Sequence, residues 1–270
     1  MLFNSVPFLL LVLPTLLLYY LPALHRFQLH VIIISSFVFY AYNDPALLTL
    51  LLVSISINIA ASYAVVFGPQ QNRKLYATLG VVANLGILLF FKYGPLFGRS
   101  FFPETSSIGQ FLVSIPLPVG ISFFTFQGIS LVVEAYKGKQ IEDYDAIVVR
   151  GIARHGLRIA AFKAFFPQLV AGPVVTAHEF LPQIKTKYFK DIDWNSAFAS
   201  LVVGYFLKMV IADNLKDQTF WVTFPYFRDM HSLTLVVLLF GYSFQIFSDF
   251  AGYSLIAIGL AKLFGYDFPI

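Results

Sequence analysis

The chain has no cysteine among its 270 residues. That absence excludes a disulfide framework, a thiolate metal site and a cysteine nucleophile. Charged side chains are also scarce, at 12% of residues, whereas soluble domains carry about 25%. So few ionisable groups do not cover the surface of a water-soluble globule of this size. We therefore expect lipid, rather than water, to surround most of the side chains.

What the chain has in abundance is apolar and aromatic residues. Hydrophobic residues make up 58% of the chain and aromatic residues 18%. The 15 Tyr suit the two membrane interfaces, and the 14 Pro and 17 Gly indicate helices that are broken or closely packed. The composition predicts an all-α fold, a polytopic membrane helical bundle with broken or re-entrant helices.

Uncharged runs of about the length that a bilayer requires recur along the sequence. The expected spans are 6–24, 27–43, 46–67, 75–91, 194–211 and 233–264. Segment 105–133 is also uncharged but is rich in Pro and Gly, so we expect a short or broken helix followed by a full one. We treat 1–270 as a single integral membrane region.

The charges of the loops between these runs alternate. Arg26, then Arg73 and Lys74, then the basic stretch 137–163 occupy alternate loops. The intervening loops carry Asp44 and the mixed set Lys92, Arg99 and Glu104. Because basic loops stay in the cytoplasm, we expect a multi-pass protein of the bacterial inner membrane with a periplasmic amino terminus.

The last predicted span carries a polar stripe. Gln245, Asp249 and Tyr253 are spaced by four residues, so a helix places them on one face. A polar group inside a membrane costs free energy unless it is paired. Two interpretations stay open, a hydrogen-bond network that holds helices together and contact with a substrate. Gln127 invites the same two interpretations.

Segment 162–175 is too short and too rich in Pro and Gly to span alone, so we predict that it is re-entrant. Non-helical backbone at that depth is tolerated only where protein or water satisfies it. Its central part contains Gln168, Gly172 and Pro173. Such a segment either lines a pore or tunnel, or plugs the bundle.

A basic amphipathic helix is predicted before this segment. Arg150, Arg154 and Arg158 recur every four residues, with apolar residues on the other side. One interpretation is anchoring to anionic lipid headgroups. The other is that the arginines receive the phosphates of a nucleotide-bearing donor. The five histidines lack the spacing of metal ligands, so we expect neither a metal site nor a bound cofactor.

Four separated segments, in the expected order, resemble the membrane-bound O-acyltransferase family. They are 122–127, 165–173, 211–214 and 242–254. The opening 1–5 and the segments 39–42 and 90–93 also match that pattern. The pattern is most similar to the bacterial alginate O-acetylation branch, and the D-alanyl transfer branch of teichoic acid synthesis is a relative.

The resemblance implies that an acyl group moves from a cytoplasmic donor through a membrane tunnel. In the alginate branch the donor is acetyl-CoA or another acyl thioester, and periplasmic acetyltransferase partners acetylate a polysaccharide; no nucleic acid is involved. The candidate tunnel or substrate-lining residues are Gln127, Gln168, Gly172, Pro173, Gln245 and Asp249. The candidate donor-phosphate residues are Arg150, Arg154 and Arg158. D-alanyl transfer, and a transporter or lipid flippase, are the alternatives.

The sequence departs from the family pattern at the catalytic residue. The family's active-site histidine belongs to a Trp-His motif, and none of the five histidines in this chain matches it. We expect the chain to be the amino-terminal portion of a longer enzyme, without the catalytic base. The basic helix around 150–158 is a second departure from the pattern.

The purified 270-residue chain is therefore expected to transfer no acetyl group. Histidine is suited to accept a hydroxyl or thiol proton near neutral pH, and the histidine of the motif is not among these residues. Label from radioactive acetyl-CoA, measured on polysaccharide, should stay at the level of a membrane blank. Transfer above that blank would contradict the prediction.

Overall fold

The fold is that of a computed structural model, which describes residues 1, 3–42, 44–103, 105–140, 144–169 and 172–269. Over those ranges the chain forms helices and no strand. Glu104 of the predicted mixed loop and residues 170–171 of the predicted re-entrant segment lie outside the described residues.

Short 3-10 and π-helical turns join the α-helices. The α-helices are α1 Val6–Tyr20, α2 Gln28–Ala41, α3 Pro45–Phe67, α4 Arg73–Leu88, α5 Gly94–Phe101, α6 Ser107–Ser114, α7 Ile121–Lys137, α8 Tyr144–Ile147, α9 Ile152–Ala164, α10 Phe166–Leu169, α11 Ala177–Phe180, α12 Trp194–Tyr205, α13 Asp213–Thr219 and α14 Ser232–Leu263.

Within the described part of the chain, 5 helical stretches are long and apolar enough to cross a membrane. They are Pro22–Ala41, Pro45–Phe67, Gln70–Phe101, Trp194–Val222 and Ser232–Leu263. The first predicted span is shorter than expected, because α1 has 15 residues. The predicted all-α, multi-pass membrane fold is confirmed.

Two of the predicted boundaries are wrong. His25 and Arg26 lie in a 3-10 turn, Pro22–Phe27, that runs directly into α2. Lys92 and Arg99 are helical rather than part of a loop, because a π-helical turn, Leu89–Tyr93, joins α4 to α5. Proline has no backbone N–H, but the N–H groups in the first turn of a helix have no partner within that helix. The proline at the start of α5 therefore does not stop the helix. Segment 105–133 contains the predicted pair, the short α6 and the longer α7.

The chain divides into two compact units. The first comprises residue 1, 17–170 and 174–186, and the second comprises 2–16, 171–173 and 187–270. In the first unit, α3 packs against α4, α7 and α9, and α2 packs against α3 and α9. Whether 1–270 is a single membrane region within a longer domain stays a prediction.

A reciprocal pair of amides crosslinks α3 and α4 inside the first unit. Asn58 Nδ2 donates to Asn84 Oδ1 over 3.0 Å, and Asn84 Nδ2 donates to Asn58 Oδ1 over 3.1 Å. The second hydrogen of each amide goes to a carbonyl of its own helix, that of Ser54 or Gly80. Gly128 of α7 lies against the pair, and a Cβ there would lie 2.5 Å from Asn84 Oδ1. Only a residue without a side chain lets α7 approach so closely.

In the second unit α14 packs along α12 and α13. The backbones of α12 and α14 touch where two glycines face each other, since a Cβ on Gly204 would lie 2.9 Å from the carbonyl oxygen of Gly252. Small residues at such crossings allow the close packing on which helix association in lipid depends.

The substitution Gly128→Ala is expected to lower the free energy of unfolding by about 1–3 kcal/mol, the usual cost of overpacking. The added methyl group collides with both amides, so either the pair separates or α7 moves away. Thermal unfolding in detergent measures the effect. Gly86→Ala is the matched control, because a Cβ at Gly86 of α4 meets nothing within 4 Å. Equal stability of the two variants would contradict the prediction.

Candidate functional site

The predicted re-entrant segment, 162–175, begins in the last turn of α9, and α9 runs antiparallel to α3. Near the start of α9, His155 Nε2 lies 2.8 Å from Ser62 Oγ. Lys163, eight residues after His155 on α9, donates from Nζ to Ser54 Oγ over 2.7 Å. Ser54 precedes Ser62 on α3 by the same number of residues, so the two helices run in opposite directions. The backbone N–H of Phe166 then donates to the hydroxyl of Ser36, in the middle of α2. The chain therefore descends beside two spans and reaches their central turns.

The chain then returns to the level at which it entered. The carbonyl of Leu181 accepts a hydrogen bond of 2.7 Å from Arg158, in the middle of α9. The backbone N–H of His178 donates to Glu134, one turn before the end of α7. This path down and back agrees with a re-entrant hairpin.

The two candidate glutamines of the first unit are both buried. Gln127 is 2% exposed and Gln168 is 1% exposed. Gln168 donates its amide to the carbonyl of Phe162, but the Oε1 atoms of both glutamines lack a hydrogen-bond partner among the described residues. A buried carbonyl oxygen without a partner is costly, and it is therefore where a water or a substrate donor would bind. Their role as lining residues stays a prediction.

Gly172 and Pro173 fall in the second unit. Gly172 has a φ of 137°, a backbone conformation that residues other than glycine rarely adopt. The glycine is thus needed for the path of the backbone, whatever else it contacts.

The three candidate arginines differ in their surroundings. Arg150 precedes α9 and is exposed, and Arg154 is exposed on α9. Arg158 instead donates from Nη2 to the carbonyls of Ala146 and Leu181, at 2.8 and 2.7 Å. The structure therefore gives Arg158 a structural role at the mouth of the hairpin, and phosphate contact by the arginines stays a prediction.

In the second unit the polar stripe of α14 pairs with the preceding span. Lys208 Nζ donates to Asp249 over 2.6 Å and to Asp213 over 2.7 Å, and it lies 5.0 Å from the centre of the Tyr253 ring. Lys208 belongs to the π-helical turn Phe206–Ala212. Such turns inside α-helices often occur at functional sites. We name these three charged residues, Lys208, Asp213 and Asp249, the ion triad.

The ion triad is only partly enclosed and is not electrically neutral. Lys208 is 14% exposed, whereas Asp213 is 38% and Asp249 is 42% exposed. One ammonium between two carboxylates leaves one negative charge. Gln245, the other candidate on the stripe, accepts a hydrogen bond from the hydroxyl of Thr219. The stripe therefore contributes hydrogen bonds and an ion pair that hold helices together, and substrate contact by its exposed carboxylate, Asp249, stays a prediction.

Sequence reasoning missed a second polar stripe, on α3. Ser54, Asn58 and Ser62 are spaced by four residues, and all three are buried. The same spacing rule that identified Gln245 and Asp249 finds them. Their partner Lys163 has no comparable sequence signal, because its neighbours in the chain are apolar. It is fully buried, with Nζ 5.7 Å from the centre of the Phe124 ring.

A carboxylate and an imidazole meet at the mouth of the hairpin. Glu134, 7% exposed, accepts hydrogen bonds from the Ser130 hydroxyl and the His178 backbone. Its Oε1 also lies 3.3 Å from His178 Nδ1. The sequence signal is the capping box formed by Thr176 and Glu179, which starts α11 and orients His178. Glu134 therefore holds the returning arm of the hairpin in place.

Curated relatives align with nearly the whole chain. The peptidoglycan O-acetyltransferase of Helicobacter pylori is 33% identical over 260 residues, which cover 88% of this chain and 48% of the relative. The probable alginate O-acetylase of Azotobacter vinelandii is 33% identical over 282 residues, covering 99% and 52%. The teichoic acid D-alanyltransferase of Bacillus subtilis is 23% identical over 250 residues, covering 90% and 59%.

The chain spans about half the length of the curated O-acetylating relatives it matches. No protein-family model matches it.

The variant Lys208→Met is expected to unfold more easily than the wild type, by about 1–2 kcal/mol, because it leaves two carboxylates side by side without a cation. Their partial exposure keeps the cost below that of a fully buried pair. The double variant K208M/D249N, which removes one of the carboxylates, should recover part of the loss. Thermal unfolding in detergent measures both variants. K208M as stable as the wild type, or a double variant less stable than K208M, would show that the ion triad does not hold the two helices together.

Proposed function

Because the chain belongs to the membrane-bound O-acyltransferase family, we propose that it forms part of an enzyme that acetylates an extracytoplasmic polysaccharide. The donor is a cytoplasmic acetyl thioester, with acetyl-CoA as the simplest candidate. The observation that carries the proposal is the alignment of almost the whole chain with relatives named as O-acetyltransferases. The membrane-spanning architecture of the chain supports it.

The chemistry explains why such an enzyme needs a re-entrant hairpin. A hydroxyl oxygen attacks the carbonyl carbon of the thioester, the carbon–sulfur bond breaks, and the proton of the hydroxyl passes to the departing thiolate. The donor is charged and stays on the cytoplasmic side, because charged groups cross hydrocarbon only at high cost. A hairpin that reaches the centre of the bundle shortens the distance between donor and acceptor.

Within this proposal Gln127 and Gln168 are the residues of the first unit that line the acyl passage. Gln127 and Gln168 each present a carbonyl oxygen that lacks a partner among the described residues. Such oxygens are available to accept a hydrogen bond from a hydroxyl or from an amide of the donor. The remaining candidates, Gly172, Pro173, Gln245 and Asp249, belong to the second unit.

We place the enzyme in the bacterial inner membrane, with the amino terminus in the periplasm and periplasmic acetyltransferases as partners. The basic residues Arg73, Lys74 and Lys137 then face the cytoplasm, as the positive-inside rule requires.

D-alanyl transfer to a teichoic-acid-type polymer is the second candidate. The relative with that activity is 23% identical, against 33% for the O-acetylating relatives, which favours acetyl transfer. Transport or lipid flipping by itself has no support from the named relatives, all of which transfer acyl groups.

The proposed reaction is tested in inverted membrane vesicles from cells that express the gene containing this segment. Radioactive acetyl-CoA added outside such vesicles contacts the cytoplasmic face. Label should accumulate on polysaccharide enclosed in the vesicles, and vesicles from the deletion strain are the control. Transfer of D-alanine instead of acetyl, or no transfer of either, would overturn the proposal.

The same vesicles test Gln127. Replacing a buried oxygen that has no partner by an apolar group costs the fold little, so Gln127→Leu should reach the membrane in normal amounts. Acetyl transfer should nevertheless fall about tenfold, the effect of about one hydrogen bond to the reacting groups. Gln218→Leu, on the exposed surface of α13, is the matched control. Unchanged transfer by Q127L would assign Gln127 to packing alone.

A further inference from the structure

A polar cavity of about 420 Å³ lies where the turn between α3 and α4 meets the end of α7. Its lining residues are Gln70, Gln71, Arg73, Lys74, Tyr136, Lys137 and Gln140. Of these described residues, three are cations, three are amides and none is a carboxylate. The volume falls within the range of about 300–1,000 Å³ that is usual for small-molecule sites.

The guanidinium of Arg73 is held in a defined position at this cavity. Its Nη2 donates to the carbonyls of Ala135 and Tyr136, at 3.1 and 2.6 Å, and the group lies 5.3 Å from the centre of the Tyr136 ring. Gly138 permits this approach, because a Cβ there would lie 3.0 Å from Arg73 Nη2. Arg73 Nε is buried and has no hydrogen-bond partner among the described residues. The arginine therefore provides a fixed positive charge, and the hydrogen on its Nε has no partner among the described residues.

The two lysines supply mobile positive charge. Lys74 and Lys137 are exposed, and no described residue forms an ion pair or hydrogen bond with either ammonium. Lys74 also lies in the first turn of α4, a 16-residue helix whose N-cap, Asn72, makes no side-chain capping bond. The partial positive charge of that helix end adds to the two ammonium groups.

We infer that this cavity, the basic cavity, binds phosphate groups at the cytoplasmic face. In the setting of the proposed function, on which this step rests, the ligand is the phosphate-bearing part of the thioester donor. The headgroup of an anionic lipid offers the same chemistry and is the other source. A fixed guanidinium with two mobile ammonium groups is the combination that phosphate recognition uses.

The test measures equilibrium binding of coenzyme A to the full 270-residue chain in nanodiscs of neutral phosphatidylcholine. The variant is K74Q/K137Q, which removes both mobile charges and leaves Arg73 with its carbonyl partners. The matched control is Lys92→Gln, because Lys92 lies on the same helical stretch, Gln70–Phe101, about 27 Å farther along the helix axis. Pantetheine, which lacks the phosphates, is the control ligand.

Coenzyme A should bind K74Q/K137Q at least about tenfold more weakly than the wild type, and more weakly at high salt, because each charged contact contributes more than a neutral one. K92Q should bind like the wild type, and pantetheine should bind all three proteins equally. Unchanged affinity of K74Q/K137Q for coenzyme A would overturn the assignment of the donor to the basic cavity. An unaltered melting temperature of the variant shows that folding is not the cause of a loss.

A second arm distinguishes the lipid source. Wild type and K74Q/K137Q are extracted from membranes that contain phosphatidylglycerol, and native mass spectrometry counts the lipids retained. Retention by the wild type and loss by the variant, without any binding of coenzyme A, assigns the phosphate to a lipid headgroup. If the variant changes neither ligand, the inference is wrong.

These measurements need no turnover. Binding of coenzyme A without acetyl transfer by the vesicles would therefore overturn the proposed function and leave the basic cavity in place. Acetyl transfer by the vesicles, together with unaltered binding of coenzyme A and of phosphatidylglycerol by K74Q/K137Q, would support the proposed function and overturn the basic cavity.

Discussion

The hydrogen bonds that α3 makes in its buried interior are the constraint on which the first unit depends. In lipid, no water is available to form hydrogen bonds with a polar group. Each polar group must therefore find a partner inside the protein, because an unpaired group costs free energy. Ser54, Asn58 and Ser62 meet this need by binding Lys163, Asn84 and His155. The three contacts join α3 to α4 and α9, and they determine how far α9 descends.

The position of the hairpin follows from that constraint. Lys163 is fully buried, and its ammonium has to reach the Ser54 hydroxyl in the middle of α3. The chain after it turns and is held on its return by Glu134 and Arg158. The hairpin therefore has polar anchors at its deepest point and at its mouth, with apolar Phe165, Phe166 and Leu169 between them. The proposed acyl passage would need such a fixed wall, because a segment that moved would let water reach the thioester.

Much of the architecture was predictable because it follows from composition and spacing. Long uncharged runs gave the three long spans near 46–67, 194–211 and 233–264, and the spacing of Gln245 and Asp249 predicted a shared helix face. The boundary after Phe91 was not predictable, since a proline in the first turn of α5 continues the helix instead of ending it. The pairing of Lys208 with Asp249 was not predictable either, because they lie 41 residues apart and the π-helical turn sets the direction of Lys208.

Composition alone predicts a bundle of membrane helices, because so few charges and so many apolar runs require lipid around the surface of the chain. The order of four separated segments carries the resemblance to the membrane-bound O-acyltransferase family. The tertiary structure, by contrast, establishes which polar groups meet. It enclosed Lys163, gave Arg158 two carbonyl partners, and placed Arg73, Lys74 and Lys137 around one cavity. Such contacts join residues from separate helices, and their positions depend on how the helices pack rather than on any local pattern.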